Sequence, residues 1–134
     1  MKDILDRIHT GLDAAQQALS GFQQGEIEAA LKLGDDPVTA ADLAVDSALR
    51  TTLPRDDEGW LSEETADDGA RLEANRVWIV DPLDGTREFV EGIPEWCVSI
   101  GYVIDGRPVA GGVLAPSRGL RITGAVGHGV DGVG

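Results

Sequence analysis

Val77-Trp78-Ile79-Val80-Asp81-Pro82-Leu83-Asp84-Gly85-Thr86 is the stretch that decides how this chain is read. The first four residues form an apolar run of the length and β-branched character of a buried strand. Two carboxylates three residues apart then follow at the strand end, with a glycine and a hydroxyl next to them. Pro82 stiffens the bend by fixing φ, and Gly85 lets the backbone approach a ligand closely. If Thr86 opens a helical turn, the amides of Gly85 and Thr86 face outward from a helix N-terminus, where a phosphate is held well. A second acidic pair, Glu63-Glu64, lies upstream after the apolar stretch Gly59-Trp60-Leu61-Ser62. Glu63, Asp81 and Asp84 offer only oxygen, with the carbonyl of Leu83 able to point inward beside them. An oxygen-only set suits Mg²⁺, Mn²⁺ or Ca²⁺ rather than zinc. The reading is a metal-dependent phosphatase.

Working outward, Ile4, Ile8, Leu12, Ala15, Leu19 and Phe22 recur every three or four positions, which predicts an amphipathic helix near the N-terminus, with Gly25 beyond it. His9 falls off that stripe and reads as a solvated helix residue. Gly34-Asp35-Asp36-Pro37 reads as a turn. Thr39 and Asp42 have capping-box spacing ahead of a second helix over about 40–53, stopped by Pro54. Residues 65–75 read as a polar surface excursion. After the central motif, 87–91 allows one helical turn, broken by Gly92 and Pro94. Strands are expected over 97–104, 108–114 and 120–126, the first two joined by an Asp105-Gly106 type I′ turn. The closing residues 128–134 are rich in glycine. The expected fold is α+β: a single domain over 1–134, with two N-terminal helices packed on a mostly antiparallel sheet.

Composition narrows the classes. The chain has 134 residues, 11 basic against 24 acidic, and a formal net charge of −13. That balance disfavours nucleic-acid backbones, which need clustered Lys and Arg, and anionic membrane surfaces. An acidic protein that handles an anionic substrate needs a cation between the two. One cysteine, Cys97, allows no internal disulfide and no Cys-rich zinc site. Its apolar neighbours predict a buried, inert thiol. No run approaches the ~20 apolar residues of a membrane span, and the N-terminus has no apolar signal-peptide core, so the cytoplasm is the expected compartment.

Haloacid-dehalogenase-type phosphatases also end a strand on acids, as Asp-x-Asp-Gly-Thr with the first Asp as covalent nucleophile. Here Pro82 stands two before Asp84 and Asp81 one place too early, which favours a metal-activated water as nucleophile. The arrangement Asp81-Pro-Leu-Asp-Gly-Thr86 after Trp78-Ile-Val resembles the signature of the inositol monophosphatase family. Pro37-Val-Thr-Ala-Ala-Asp42 and Leu61-Ser-Glu-Glu64 fall in the matching order, as do Cys97-Val-Ser-Ile-Gly101 and Gly112-Val-Leu-Ala-Pro116. The resemblance implies the N-terminal part of that fold and Mg²⁺ as cofactor. It implies Glu63, Asp81, Asp84 and the Leu83 carbonyl as metal ligands, and phosphate binding by the amides of Gly85 and Thr86. Thr86, oriented by Asp42, would position the attacking water in the catalytic group with Glu63. It also implies Lys32 near a further metal-bound water and Glu64 as support behind Glu63.

The substrate implied is a small phosphorylated metabolite: inositol monophosphate or adenosine 3′,5′-bisphosphate, with histidinol phosphate as the alternative. Leu61-Ser-Glu-Glu64 and Arg87-Glu88-Phe89 lean toward the bisphosphate branch. Members of the family carry a later Trp-Asp-x-Ala-Gly-like motif whose Asp completes the metal site. Trp60, Trp78 and Trp96 are the only tryptophans, and none precedes Asp. The expectation is therefore an N-terminal half without its C-terminal half, with little or no activity alone. Its partner would be a second copy or a complementing half. A non-catalytic metal- or phosphate-binding remnant is the second reading, and an acidic interaction module whose motif is only a turn is the third.

Overall fold

The computed structural model describes residues 1–22, 29–31, 37–55, 57–64 and 69–133. Lys32 and most of the expected 34–37 turn lie outside the described residues, as does the 65–68 part of the polar excursion. Helix α1 (Lys2–Leu19) is followed by a short antiparallel pair, β1 (Ala29–Leu31) and β2 (Pro37–Thr39), and by helix α2 (Ala40–Thr52). Then come β3 (Gly59–Ser62), β4 (Arg76–Asp84), the short helix α3 (Thr86–Glu91), β5 (Cys97–Ile104), β6 (Arg107–Ala115), β7 (Leu120–Ala125) and β8 (Gly129–Val133). Strands β3 to β8 form one six-stranded sheet in chain order. Only β3–β4 is parallel; every later pair is antiparallel. This is the α+β fold expected from the sequence.

The apolar stripe of α1 does what its period dictates. Ile4, Ile8, Leu12, Ala15 and Leu19 are all buried, and with Ala41, Val45 and Leu49 of α2 they pack on Trp78, Val80, Val98, Ile100, Tyr102 and Leu114 of the sheet. Glycine allows the closest approach: a Cβ on Gly112 would stand 2.7 Å from Ile8. At the β5–β6 turn both Asp105 and Gly106 have positive φ, 50° and 78°, as a type I′ hairpin requires. β8, the β1–β2 pair and the 3₁₀ turns at Ala70–Glu73 and Pro116–Arg118 are not among the expected elements. His9 is half-buried rather than solvated. Its ring lies 3.3 Å from the Thr123 hydroxyl and 3.4 Å from an Arg121 nitrogen.

A buried carboxylate ties the layers together at the entry to β3. Glu58, whose side chain is 4% exposed, receives both guanidinium nitrogens of Arg7 from α1, at 2.9 and 2.5 Å. It also accepts from Trp78 Nε1 at 3.0 Å, the Tyr102 hydroxyl at 2.7 Å and the Arg55 amide at 2.9 Å. Arg7 donates as well to the Leu53 carbonyl and lies 5.0 Å over the Trp78 ring. Burial alone would push the Glu58 carboxyl up. The bonds from Arg7, Tyr102, Trp78 and the Arg55 amide outweigh that and hold it well below the usual carboxylate range.

Candidate active site

The site is built where β4 stops being regular. Asp81 pairs with Ser99 and Asp84 with Cys97, so β4 carries one residue more than β5 across this interval. That is a β-bulge, a device that bends a strand and re-aims its side chains. Pro82, which has no N–H for a ladder, sits inside it and is buried. The Leu83 side chain, also buried, anchors the bend from below. Gly85 then turns the chain with φ 89° as the N-cap of α3. A Cβ there would come within 2.6 Å of the Glu95 carbonyl, so only glycine fits.

The turn delivers Thr86, buried, against the start of α2. Its Oγ1 lies 2.8 Å from Asp42 Oδ1 and 2.9 Å from the Leu83 carbonyl. Asp42 is fully buried, and its other oxygen accepts from the Thr39 amide at 3.0 Å and the Thr39 hydroxyl at 2.7 Å. The Thr39 hydroxyl accepts in turn from the Asp42 amide, which completes the expected capping box. One carboxylate thus caps α2 and fixes a hydroxyl delivered from a different part of the chain. A threonine has one O–H donor and two lone pairs. With the proton committed to Asp42 or Leu83, the lone pairs can accept from a water.

The acidic residues arrive on neighbouring strand ends. Because β3 and β4 run parallel, with Leu61 opposite Ile79 and Ser62 opposite Val80, Glu63 leaves β3 at the level where β4 reaches Asp81. Ser62 holds that corner to α2: its hydroxyl donates to Asp46 Oδ1 at 2.5 Å and accepts from the Glu64 amide at 3.3 Å. Neither this Ser62–Asp46 clamp nor Glu58 was visible in the sequence. Glu63 and Asp84 are exposed and Asp81 half-buried. Among the described residues, no three His, Cys, Asp or Glu side chains gather closely enough to hold a metal ion. The donor chemistry fits a hard cation, and the Leu83 carbonyl keeps a second lone pair beside the Thr86 bond. The backbone therefore aligns the expected ligands, while their side chains do not form a closed cage.

Cys97 stands opposite Asp84 in the register and is half-buried. Burial pushes its thiol up, and the charges of Asp84 and Asp81 push the same way, as an inert thiol requires. An open cleft of about 460 Å³ runs from Asp84 and Gly85 past Glu88, Glu95 and Cys97 to Arg118. It offers room for a small molecule beside the bend.

A buried threonine held by the Asp42 carboxylate thus lies beside acids on two adjacent strand ends, an oxygen-rich site on an α+β sheet. The chain belongs to the inositol monophosphatase family, whose model matches residues 6–132. It is 46% identical over 95 residues to a histidinol-phosphatase of Mycobacterium tuberculosis, covering 69% of this chain and 36% of that protein. It is 42% identical over 109 residues to the 3′(2′),5′-bisphosphate nucleotidase CysQ of Salmonella typhimurium, covering 78% of this chain and 43% of the relative. The solved IMPase of Thermotoga maritima superimposes with a TM-score of 0.81 at 27% identity, over 100% of this chain and 52% of that one. The chain thus spans about half, or less, of the length of these relatives. No helix among the described residues is long and apolar enough to cross a membrane.

Proposed function

We propose that this chain is the N-terminal, site-bearing half of a Mg²⁺-dependent phosphomonoesterase acting on a small phosphorylated metabolite in the cytoplasm. The observation that carries the reading is the Thr86–Asp42 hydrogen bond at the β4 bulge, next to acids at the ends of two parallel strands. Glu63, Asp81, Asp84 and the Leu83 carbonyl would hold the cation, which supplies Lewis-acid polarisation of a phosphoryl oxygen. Carboxylates brought to one point repel each other, and a bound cation would offset that repulsion. The chain's own residues do the rest. Asp42 fixes the rotamer of Thr86 and keeps its lone pairs available to a water. Asp42 is fully buried, so it acts through Thr86 as a positioning residue, while Thr86 and Glu63 face the reacting atoms. The amides of Gly85 and Thr86, at the start of α3, have no partner within that helix and can donate to the phosphate.

The relatives' names support the phosphatase class and divide between a histidinol-phosphatase and a 3′(2′),5′-bisphosphate nucleotidase; the candidate substrates are histidinol phosphate, adenosine 3′,5′-bisphosphate and inositol monophosphate. The test is a melting curve with increasing Mg²⁺. Millimolar Mg²⁺ raises Tm, and Asp81→Asn removes the rise. An unchanged Tm in the native chain would overturn the metal site. Phosphate release from the three esters, by the chain alone, is expected to be slight.

A further inference from the structure

The three expected carboxylate ligands are not held alike. Asp81 and Asp84 lie within the β4–β5 ladder, opposite Ser99 and Cys97. Glu63 lies beyond its ladder: the β3–β4 register ends with Ser62 opposite Val80, one residue short of it. The Ser62 hydroxyl, buried at the last position of β3, takes over where the ladder stops. It donates to Asp46 Oδ1 at 2.5 Å and accepts from the Glu64 amide at 3.3 Å. A serine has one proton and a carboxylate only accepts, so the hydroxyl bonds in both directions at once. The second bond closes a turn of the kind that serine forms with the amide two residues on, and Glu63 is the residue enclosed. Asp46 stands four residues after Asp42, so both carboxylates share one face of α2, one turn apart. Both are buried. Asp42 caps the helix and holds Thr86. Asp46 does nothing comparable for α2. It lies past the first turn, where an acid helps a helix; aspartate is a poor helix former, and like charges one turn apart repel.

We propose that Asp46 and Ser62 are positioning residues of the cation site, acting through Glu63: their bridge fixes the turn that presents the Glu63 carboxylate at the level of Asp81. Side chains alternate along a strand. Ser62 faces α2, and Val80 opposite it lies in the core beneath the helices, so the residues that follow them, Glu63 and Asp81, fall together on the other side. One face of α2 thereby sets both strand exits. Asp42 holds Thr86 just after β4, and Asp46 holds Ser62 just before Glu63. Neither Asp46 nor Ser62 touches the ion. Groups that hold a ligand from behind typically change metal affinity about 10–100-fold when removed. The assignment rests on reading Glu63 as a metal ligand, and the native chain's own titration tests that reading separately.

The test is a calorimetric Mg²⁺ titration of the full chain, with no substrate and no turnover. Ser62→Ala is expected to weaken Mg²⁺ binding about 10-fold, while Ser62→Thr, which keeps the hydroxyl, binds as the native chain does. Asp46→Ala weakens binding too, and in that background Ser62→Ala has no further effect, because the pair acts as one unit. Ile8→Val thins the core beside Gly112 and lowers the metal-free Tm, but leaves Mg²⁺ affinity unchanged, which separates positioning from a plain loss of stability. Circular dichroism melts without metal show that each variant folds. Native affinity in Ser62→Ala overturns the proposal. So does a Ser62→Ala effect that persists in full in the Asp46→Ala background, or an equal loss of affinity in Ile8→Val. A native chain that takes up no Mg²⁺ overturns the metal site itself and this assignment with it, whereas native binding with an indifferent Ser62→Ala overturns the assignment alone.

Discussion

Two glutamates flank the four residues of β3, and they live in opposite surroundings. Glu58, at the entry, is buried and met by Arg7, Tyr102, Trp78 and a backbone amide. Glu63, at the exit, is exposed, and the strand ends nearest it bring Asp81 and Asp84. The same side chain is a structural rivet at one end of a strand and a prospective ligand at the other. Donors that arrive from the protein make a carboxylate part of the architecture. A carboxylate exposed at a strand end beside other acids can turn toward something from outside.

Replacing each glutamate by glutamine is the sharpest way to break this contrast. Glu58→Gln leaves Arg7 buried without its charge partner, and such losses cost about 3–5 kcal/mol. Urea denaturation should show a large fall in midpoint with an unchanged slope; a loss below about 1 kcal/mol would undo the comparison. The acid limb of stability follows from the same bonds. The folded-state pKa of Glu58 is depressed, so its contribution is complete above the ordinary glutamate value of about 4.3. It is lost as pH falls below that value toward the folded-state one. The wild type should destabilise steeply through this window, and Glu58→Gln should flatten the slope. A smaller effect, about 1–3 kcal/mol, is expected for Asp42→Ala, which removes the N3 half of the α2 capping box and leaves the buried Thr39 amide without its acceptor; loss of protection at the first-turn amides of α2 in hydrogen exchange would locate it. Smallest is Glu63→Gln, within about 0.5 kcal/mol of wild type without Mg²⁺. Its signature is a diminished Tm response to the ion.

The contrast also explains what the sequence could and could not show. The α1 stripe, the Thr39–Asp42 capping box and the Asp105-Gly106 hairpin are local signals, each readable within a few residues. The Asp81–Thr86 motif is equally compact, which is why the bend and its family were legible. Glu58 is different: its partners lie in α1, β4 and β5, and nothing around it in the chain marks it as buried. The Ser62–Asp46 clamp and the contacts of His9 with β7 fail to show for the same reason. β8 was missed because Gly129 and Gly132 carry no strand propensity; the ladder of β7 supplies the hydrogen bonds that the residues themselves do not favour. The placement of Glu63 beside Asp81 and Asp84 depends on the parallel pairing of β3 with β4, which residue spacing does not encode.

Asp42 holds one turn of helix and one hydroxyl with the same carboxylate. Unravelling of the first turn of α2 and rotation of the Thr86 side chain are therefore a single event. Loss of that turn would leave the Thr86 hydroxyl with the Leu83 carbonyl alone, one of its two anchors. A helix start and a distant hydroxyl that share one anchor cannot be loosened independently of each other.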